Sequence, residues 1–458
     1  HRARMLLPLC GPALRPGPTD DGRGTVRMEK TRHYLHTSWS EAWIALLGLG
    51  IALSPTNTKV AGAAWLLLCV AGLIVFFRLN RPALSAIQDT VVAANRGLVI
   101  AYVVCTVLAI AVVLYWPDQP DTLHAEWRLL LAAVATNLLI ARKPDPEKWR
   151  AFVMPAMALA CIAAFGMAWK AVPRYAVPSN LIPWSVSVAL FLCVLLPHVL
   201  DSRNPATNRR LYAVAVGFGF GSIFLSQARG ALGVLVWAAW LLVENWKERH
   251  PGIKPWQIAV AGLSGAAILA SSAWLPSDPI RLREGLREFV AASAQGNFNS
   301  SMGARVYNWS LGWSSFKESP WVGIGGRERL NRIKSAGTEL PPDQQGQRFD
   351  EVRRLGHVHN QFLHSAMDGG VVGLVSTLAV LVGLGFAAFR LRHVDPVATR
   401  QLQGILFMHT TAGLTNVNMA HNYYAIMLSL AVATVFGCAG SRAVLSSGKR
   451  KAEACRHT

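Results

Sequence analysis

The chain has 458 residues, of which 52% are hydrophobic and only 15% are charged. Soluble globular chains carry about a quarter charged residues, so this composition excludes an ordinary soluble enzyme and indicates a protein solvated by lipid. The formal net charge of +20 would suggest nucleic acid in a soluble chain, but the basic residues cluster in short loops between apolar runs. That distribution favours contact with membrane lipids over a nucleic-acid partner.

Residues 1–40 are predicted to form a cytoplasmic N-terminal tail. The first 27 residues are polar, basic and rich in Pro and Gly, and they lack the pattern of a cleavable signal. Met28 opens the segment MEKTRHYLHTS, which is typical of a natural start. Whether residues 1–27 are native, an expression remnant or misassigned upstream sequence stays open.

Apolar runs follow, and a membrane-spanning helix needs about 20 apolar residues. The runs lie near 41–54, 59–77, 97–116, 127–141, 151–169, 181–200, 211–227, 230–244, 257–275, 370–389, 402–418 and 423–440. They are hydrophobic all round rather than along one stripe, which is typical of lipid-facing helices. The sequence therefore predicts an all-α polytopic membrane protein with about 12 transmembrane helices, nine within residues 41–275 and three within 358–440.

The loops between the runs alternate in charge, and cytoplasmic loops carry an excess of Lys and Arg. One set is basic and includes Arg78, Arg81, Arg96, Arg142, Lys143, Arg203, Arg209, Arg210, Lys247, Arg249, Arg390 and Arg392. The opposite set, at 56–59, 117–126 and 418–422, is poor in both residue types. This pattern predicts that both termini are cytoplasmic, including the C-terminal tail 441–458.

The segment 276–357 follows nine predicted spans, so a chain with a cytoplasmic N-terminus places it on the far side of the bilayer. Connections longer than about 15 residues are usually functional or disordered, so this long loop is expected to carry function. Residues 280–293 have an amphipathic pattern, which predicts a helix lying in the membrane interface. The loop is therefore expected to be partly helical.

Three polar features lie at this outer face. They are Ser226–Gly230; Ser301–Trp309, followed by Pro320–Gly325; and His357–Asn360, followed by Asp368–Gly370. Taken alone, Arg229 could be a snorkelling anchor, Arg305 an exposed residue of a surface helix, and a single His a polar helix start. Two imidazoles with an Asn, an Asp and glycines at a membrane boundary favour a functional site. The seven cysteines form no CxxC pair, and the sequence shows no cluster of carboxylates. It therefore predicts neither a metal nor another cofactor.

These features resemble the O-antigen ligase and polymerase superfamily, and most closely the O-antigen ligases of lipopolysaccharide assembly. The family's His-Asn, nine residues, Gly, two residues, Gly signature is matched by His359, Asn360, Gly370 and Gly373. Its Ser-x-x-Arg-Gly hairpin, Arg-x-x-x-Trp helix and Pro-x-x-Gly-x-Gly segment are matched by Ser226, Arg229, Gly230, Arg305, Trp309, Pro320, Gly323 and Gly325. The resemblance covers roughly residues 41–440. It implies transfer of an undecaprenyl-diphosphate-linked O-antigen to lipid A–core at the periplasmic face of the bacterial inner membrane.

The chemistry explains these residue types. A departing diphosphate is a stable anion that needs charge neutralisation, and the guanidinium fork matches phosphate oxygens, so Arg229 and Arg305 are predicted to hold it. A sugar hydroxyl needs a base to become a nucleophile, and histidine titrates near the working pH. His359 is the predicted base, with His357 as the second choice, and it is expected to face a cavity between the long loop and the bilayer. On a helix the two rings would point in different directions, so His357→Ala is expected to have the milder effect. The rate is expected to fall as the imidazole protonates below about pH 6.5. Attack opposite the diphosphate would invert the anomeric centre. The expected substrate-binding residues are Arg229, Arg305, Asn360, His357, Gln227 and Trp309.

Other functions stay open. An O-antigen polymerase would use a second lipid-linked glycan as its acceptor, although the His-Asn spacing favours the ligase. A protein-glycosylating enzyme fits less well, and the metal-dependent glycosyltransferases acting on polyprenyl-linked sugars normally carry acids in the first outer loop, which 54–59 lacks. A transporter or flippase is expected to bury charges near the midplane, whereas this chain keeps them at the helix ends.

Overall fold

The computed structural model describes residues 41–77, 84–117, 125–142, 145–171, 177–250, 282–341 and 346–440. The chain divides into two units, residues 1–43 and residues 44–458, and only residues 41–43 of the first unit are among those described. The tails 1–40 and 441–458 and the predicted apolar run 257–275 lie outside the described residues.

The described chain folds into helices and contains no strand within these ranges. The helices before the long loop are α1 Glu41–Leu53, α2 Thr58–Phe76, α3 Ala86–Tyr115, α4 Glu126–Arg142, α5 Pro146–Ala171, α6 Leu181–Leu200, α7 Ala206–Ser226 and α8 Gly233–Arg249. Those of the loop are α9 Leu282–Gln295, α10 Ser301–Glu318, α11 Gly326–Lys334 and α12 Asp350–Arg354. Three helices follow, α13 Gln361–Leu391, α14 Pro396–Gly413 and α15 Asn422–Cys438.

The predicted apolar runs therefore form helices wherever they are described. Five of these helices, α2, α3, α5, α6 and α13, are long and apolar enough to cross a membrane by length and composition. The chain is thus an all-α protein with candidate membrane-spanning helices. The other described helices are shorter or less apolar, so the count of about 12 spans and their orientation stay predictions.

The helices differ in how much of their surface other helices cover. In α6 every residue from Pro183 to His198 is buried, and in α15 the same holds from Tyr423 to Cys438. The outer helices instead expose apolar side chains, such as Val107 at 57% and Val382 at 67%. Exposed apolar surface of this extent is stable against lipid rather than water. Among the described helices, α6 and α15 are therefore the most fully enclosed by other helices.

Helix α13 packs along α3 and is broken at one residue, Gly370. Gly370 has φ 59° and ψ −146°, a region open essentially only to glycine. The loop segment 320–325 lies against this break. Its Ile324 N–H donates to the Met367 carbonyl at 2.8 Å, and the Pro320 carbonyl accepts from Val371 N–H at 2.7 Å. The break is stabilised because the loop binds the backbone groups that the helix releases.

Gly370→Ala is expected to destabilise the fold by on the order of 3 kcal/mol or more, because a Cβ there meets the Trp321 backbone in a left-handed conformation. Thermal unfolding in detergent measures the effect. Gly385→Ala is the matched control on the same helix, since its Cβ would meet only Leu406 at an ordinary 3.7 Å. This control should unfold at or slightly above the wild-type temperature. Equal melting temperatures for the two variants would contradict the assignment of the break.

The long loop has its own small core. Buried side chains from α10, α11 and α12 meet there, together with one from the start of α13: Ala304, Ile333, Val352 and Met367. The prediction of a partly helical loop is confirmed for the described residues, and its periplasmic position stays a prediction. Helix α9 covers most of the predicted amphipathic segment, and residues 280–281 lie outside the described ranges. Its Leu286, Phe289 and Val290 are exposed, as an interfacial helix requires.

Candidate active site

Arg229 lies in the tight connection between α7 and α8. Gln227 takes a left-handed conformation with φ 54°, and a short 3₁₀ turn runs over Arg229–Ala231. The Ser226 hydroxyl holds this reversal, because it accepts from Ala228 N–H at 3.2 Å and donates to the Ile223 carbonyl at 2.7 Å. The Ser-x-x-Arg motif therefore forms a tight turn that places Arg229 between the end of α7 and the start of α8.

Arg305 lies in the second turn of α10. The helix begins after Ser300, whose hydroxyl accepts from Gly303 N–H at 3.0 Å. Arg305 donates to the Ser301 hydroxyl at 3.2 Å, and its Nε has no hydrogen-bond partner among the described residues. Trp309 follows four residues later, so its ring lies on the same face of the helix as Arg305.

The two arginines meet at one cavity of about 490 Å³. Four of the predicted site residues line it together: Gln227, Arg229, Arg305 and Trp309. Its wall also includes Asn180, Ser226, Ser301 and Thr415. The structure thus brings together residues that are about 75 positions apart in sequence and that were predicted separately to hold the diphosphate.

Helix α9 supplies the acids that face these arginines. Glu284 Oε2 lies 3.9 Å from a terminal nitrogen of Arg229, and Glu288 Oε2 accepts from Met302 N–H at 2.9 Å. Burial and the neighbouring Arg229 lower the pKa of Arg305, whereas Glu288 raises it. A guanidinium nevertheless stays charged at any working pH. Both arginines line the cavity, whereas no acid is part of its described wall, so the cavity suits an anion.

The two predicted histidines precede α13 rather than lie on it. Asn360 caps the helix, since its side-chain oxygen accepts from Phe362 N–H and Leu363 N–H at 3.0 Å each. His359 before it is left-handed, with φ 54°. The expectation that helical geometry points the two rings apart is wrong, because the ring centroids of His357 and His359 are only 4.3 Å apart and the rings meet edge to face.

His359 contacts a pair of asparagine amides. Its Nδ1 lies 3.2 Å from Asn416 Oδ1, and the Asn416 amide nitrogen in turn donates to Asn418 Oδ1 at 2.9 Å. With these amide orientations, Nδ1 is the donor and the lone pair is on Nε2. His357 lines the second cavity. That His359 faces a cavity between the long loop and the bilayer stays a prediction.

Both imidazoles are held neutral. Burial is the main cause, and it lowers the pKa of His357 to about 4 and that of His359 to about 2. Neighbouring positive charge adds to this effect, from Arg329 on His357 and from Arg305 on both rings. A neutral imidazole can accept a proton. The rate was expected to fall below about pH 6.5, and these pKa values correct that expectation for the unliganded protein.

The second cavity has a volume of about 450 Å³, and His357 is part of its wall. The ionisable and amide side chains of this wall include Glu126, Arg329, His357, Gln361, His364 and Asp368. Of these residues, only His357 was predicted from the sequence to bind substrate. The spacing of Gln361, His364 and Asp368 on one helical face was a usable signal, whereas the approach of Arg329 and Glu126 leaves no local pattern.

The described residues contain no group of three or more His, Cys, Asp or Glu side chains placed to hold a metal ion. The positive charge at the first cavity comes from Arg229 and Arg305. An arrangement of two cations beside two neutral imidazoles can neutralise a leaving anion and accept a proton from a nucleophile.

Comparison with known proteins agrees with this geometry. Residues 213–378 match the family described as O-antigen ligase. The matched segment runs from α7 to the first half of α13 and contains every predicted site residue. No curated protein matches the chain. Over residues 213–378, the chain is similar to the O-antigen ligase family.

Proposed function

We propose that the protein is an O-antigen ligase that transfers polysaccharide from undecaprenyl diphosphate to a sugar hydroxyl of lipid A–core. The observation that carries this proposal is the meeting of Arg229 and Arg305 at one cavity, beside a neutral histidine pair. The reaction would take place at the periplasmic face of the bacterial inner membrane. The match to the O-antigen ligase family supports a lipid-linked glycan as the donor.

In the proposed reaction, the bond between the anomeric carbon and the diphosphate oxygen breaks. Its electron pair leaves on the diphosphate, whose charge Arg229 and Arg305 neutralise. The acceptor oxygen forms the new bond to the anomeric carbon, and its proton passes to the imidazole pair His357–His359. Attack from the side opposite the diphosphate inverts the anomeric centre. Gln227 and Trp309, on the wall of the same cavity, would contact the donor.

The break in α13 bears on the transport alternative. Transporters place broken helices at a midplane ion or substrate site. Here the loop segment 320–325 binds the backbone groups released at Gly370, and Trp116 donates to the Val322 carbonyl at 2.9 Å. The break anchors the loop rather than leaving carbonyls open for an ion. This observation favours an enzyme over a transporter.

Transfer is expected with purified protein, lipid-linked glycan and lipid A–core alone, and it should persist in excess EDTA without any nucleotide. The physical reason is that the arginines supply the positive charge that a metal would otherwise provide. Gel mobility of the glycan-modified lipid A–core measures the product. Loss of activity on chelation with recovery on adding Mg²⁺ or Mn²⁺ would contradict this mechanism. Lengthening of the lipid-linked glycan, with lipid A–core left unmodified, would identify a polymerase instead.

A further inference from the structure

The second cavity is built by the first turns of α13. Gln361, His364 and Asp368 lie on one face of this helix, and Arg329 of α11 and Glu126 of α4 complete the wall. The cavity of about 450 Å³ is large enough for a sugar ring. His357 belongs to the same wall, so a molecule bound there lies next to the proposed proton acceptor.

Asp368 is a buried acid of this wall, and only 4% of its surface is exposed. Its Oδ1 accepts from Arg329 Nε at 2.7 Å, and Arg329 also donates to the Gly356 carbonyl. Its Oδ2 lies 3.4 Å from His364 Nε2, but that contact lacks hydrogen-bond alignment. Oδ2 therefore has no hydrogen-bond partner among the residues that the structure describes.

Three further polar atoms of the cavity wall also lack a hydrogen-bond partner in the part of the chain that the structure describes. Within the described ranges, Glu126 Oε2, His357 Nδ1 and His364 Nδ1 are buried without a hydrogen-bond partner. Buried polar atoms are costly when unsatisfied and are normally paired. Four of them around one cavity indicate a polar ligand rather than an apolar one.

The charge of the wall narrows the class of ligand. The Arg329 charge is already matched by Asp368, and Glu126 adds a further acid. A phosphate or carboxylate would find no unpaired cation on the described wall, because Arg329 is held by Asp368. Hydroxyl groups can donate to the carboxyl oxygens of Asp368 and Glu126, which accept hydrogen bonds in either protonation state. The first cavity differs, because its described wall carries Arg229 and Arg305 and no acid.

We infer that the second cavity binds a neutral, unphosphorylated sugar of the acceptor, whose hydroxyls donate to Asp368 Oδ2 and Glu126 Oε2. This inference rests on the proposed function, because it assigns the acceptor side of that reaction. Arg329 is a positioning residue that fixes the Asp368 carboxylate. The two substrates would then bind in separate cavities, the anion at Arg229 and Arg305 and the neutral sugar beside His357.

Glu126→Gln tests the inference with little risk to the fold, because Oε2 has no partner to lose among the described residues. The KM for lipid A–core should rise on the order of tenfold, with the affinity for the lipid-linked donor unchanged. Asp368→Asn should act in the same direction. Glu351→Gln is the control, since Glu351 pairs with the exposed Arg354 and lines neither cavity, so the acceptor KM should stay unchanged. An unchanged acceptor KM in folded Glu126→Gln, or an increase confined to the donor KM, would overturn the inference.

Direct binding separates this inference from the proposed function. In saturation-transfer NMR with the full chain in detergent, methyl α-D-glucoside or methyl α-D-galactoside should bind wild type and bind Glu126→Gln more weakly. Glucose 6-phosphate should not compete. Competition by the phosphate, or no binding of either glycoside, would overturn the neutral-sugar site. Failure of wild type to modify lipid A–core would reject the ligase, whereas the glycoside result would still decide whether the cavity binds sugar.

Discussion

Replacing Arg305 by alanine is expected to lower glycan transfer by at least on the order of 10³, while leaving the protein as stable as wild type. The guanidinium neutralises a charge that grows as the diphosphate leaves, so its loss falls on the transition state. Its only described hydrogen bond is to the Ser301 hydroxyl, and it lies beside the like charge of Arg229. Removing it relieves the repulsion from Arg229 and loses the attraction to Glu288, so the net change in stability should be small.

Arg229→Ala is expected to have the same effect, because Arg229 lines the same cavity. Lysine at either position should rescue poorly, since a point charge does not reproduce the bidentate fork. Transfer rate and melting temperature should be measured together for each variant. Arg354→Ala is the matched control, because its side chain is 74% exposed and pairs with Glu351. Full activity in either Arg229→Ala or Arg305→Ala would remove that residue from the site.

His359→Ala is expected to reduce the transfer rate by about 10²–10⁴, the range for loss of a positioned general base. The sequence alone predicted a milder effect for His357→Ala. Ring contact at 4.3 Å and the place of His357 on the cavity wall now predict a loss of the same order for both. If the rings act as one unit, the double variant should be no slower than either single one. Single losses that multiply in the double variant would show two independent roles.

The pH dependence gives a second test of the histidine pair. Lowered pKa values of about 4 and about 2 keep both rings neutral at working pH, so kcat/KM should stay flat from pH 7 to about 5. The rate should fall only as pH drops through these lowered values, because protonation removes the base. Bound diphosphate offsets the nearby arginine charge, so the acid limb of kcat should lie at higher pH than that of kcat/KM. A limb of kcat/KM at pH 6.5 would contradict this assignment.

Several features were predictable from sequence because they depend on neighbours within a few residues. Continuous apolar runs form helices wherever they are described, and Asn360 and Ser300 cap the helices that begin beside them. The four-residue spacing of Arg305 and Trp309 puts both on one helical face, and both line the arginine cavity. The same reasoning failed at His357 and His359, because the cap at Asn360 leaves them in the preceding turn.

The sequence by itself determined the helical class and the apolar character of the bundle, since composition and continuous apolar runs specify these. It also predicted the two arginines, whose role in the reaction stays a proposal. Only the tertiary structure decided which polar residues line each of the two cavities. The pairing of Arg329 with Asp368 joins residues 39 positions apart, and the break at Gly370 is stable because residues 320–325 bind its backbone. Such contacts depend on how separate helices pack against one another, and no local periodicity records them. The second cavity exists because that packing brings α4, α11 and α13 together around the histidines.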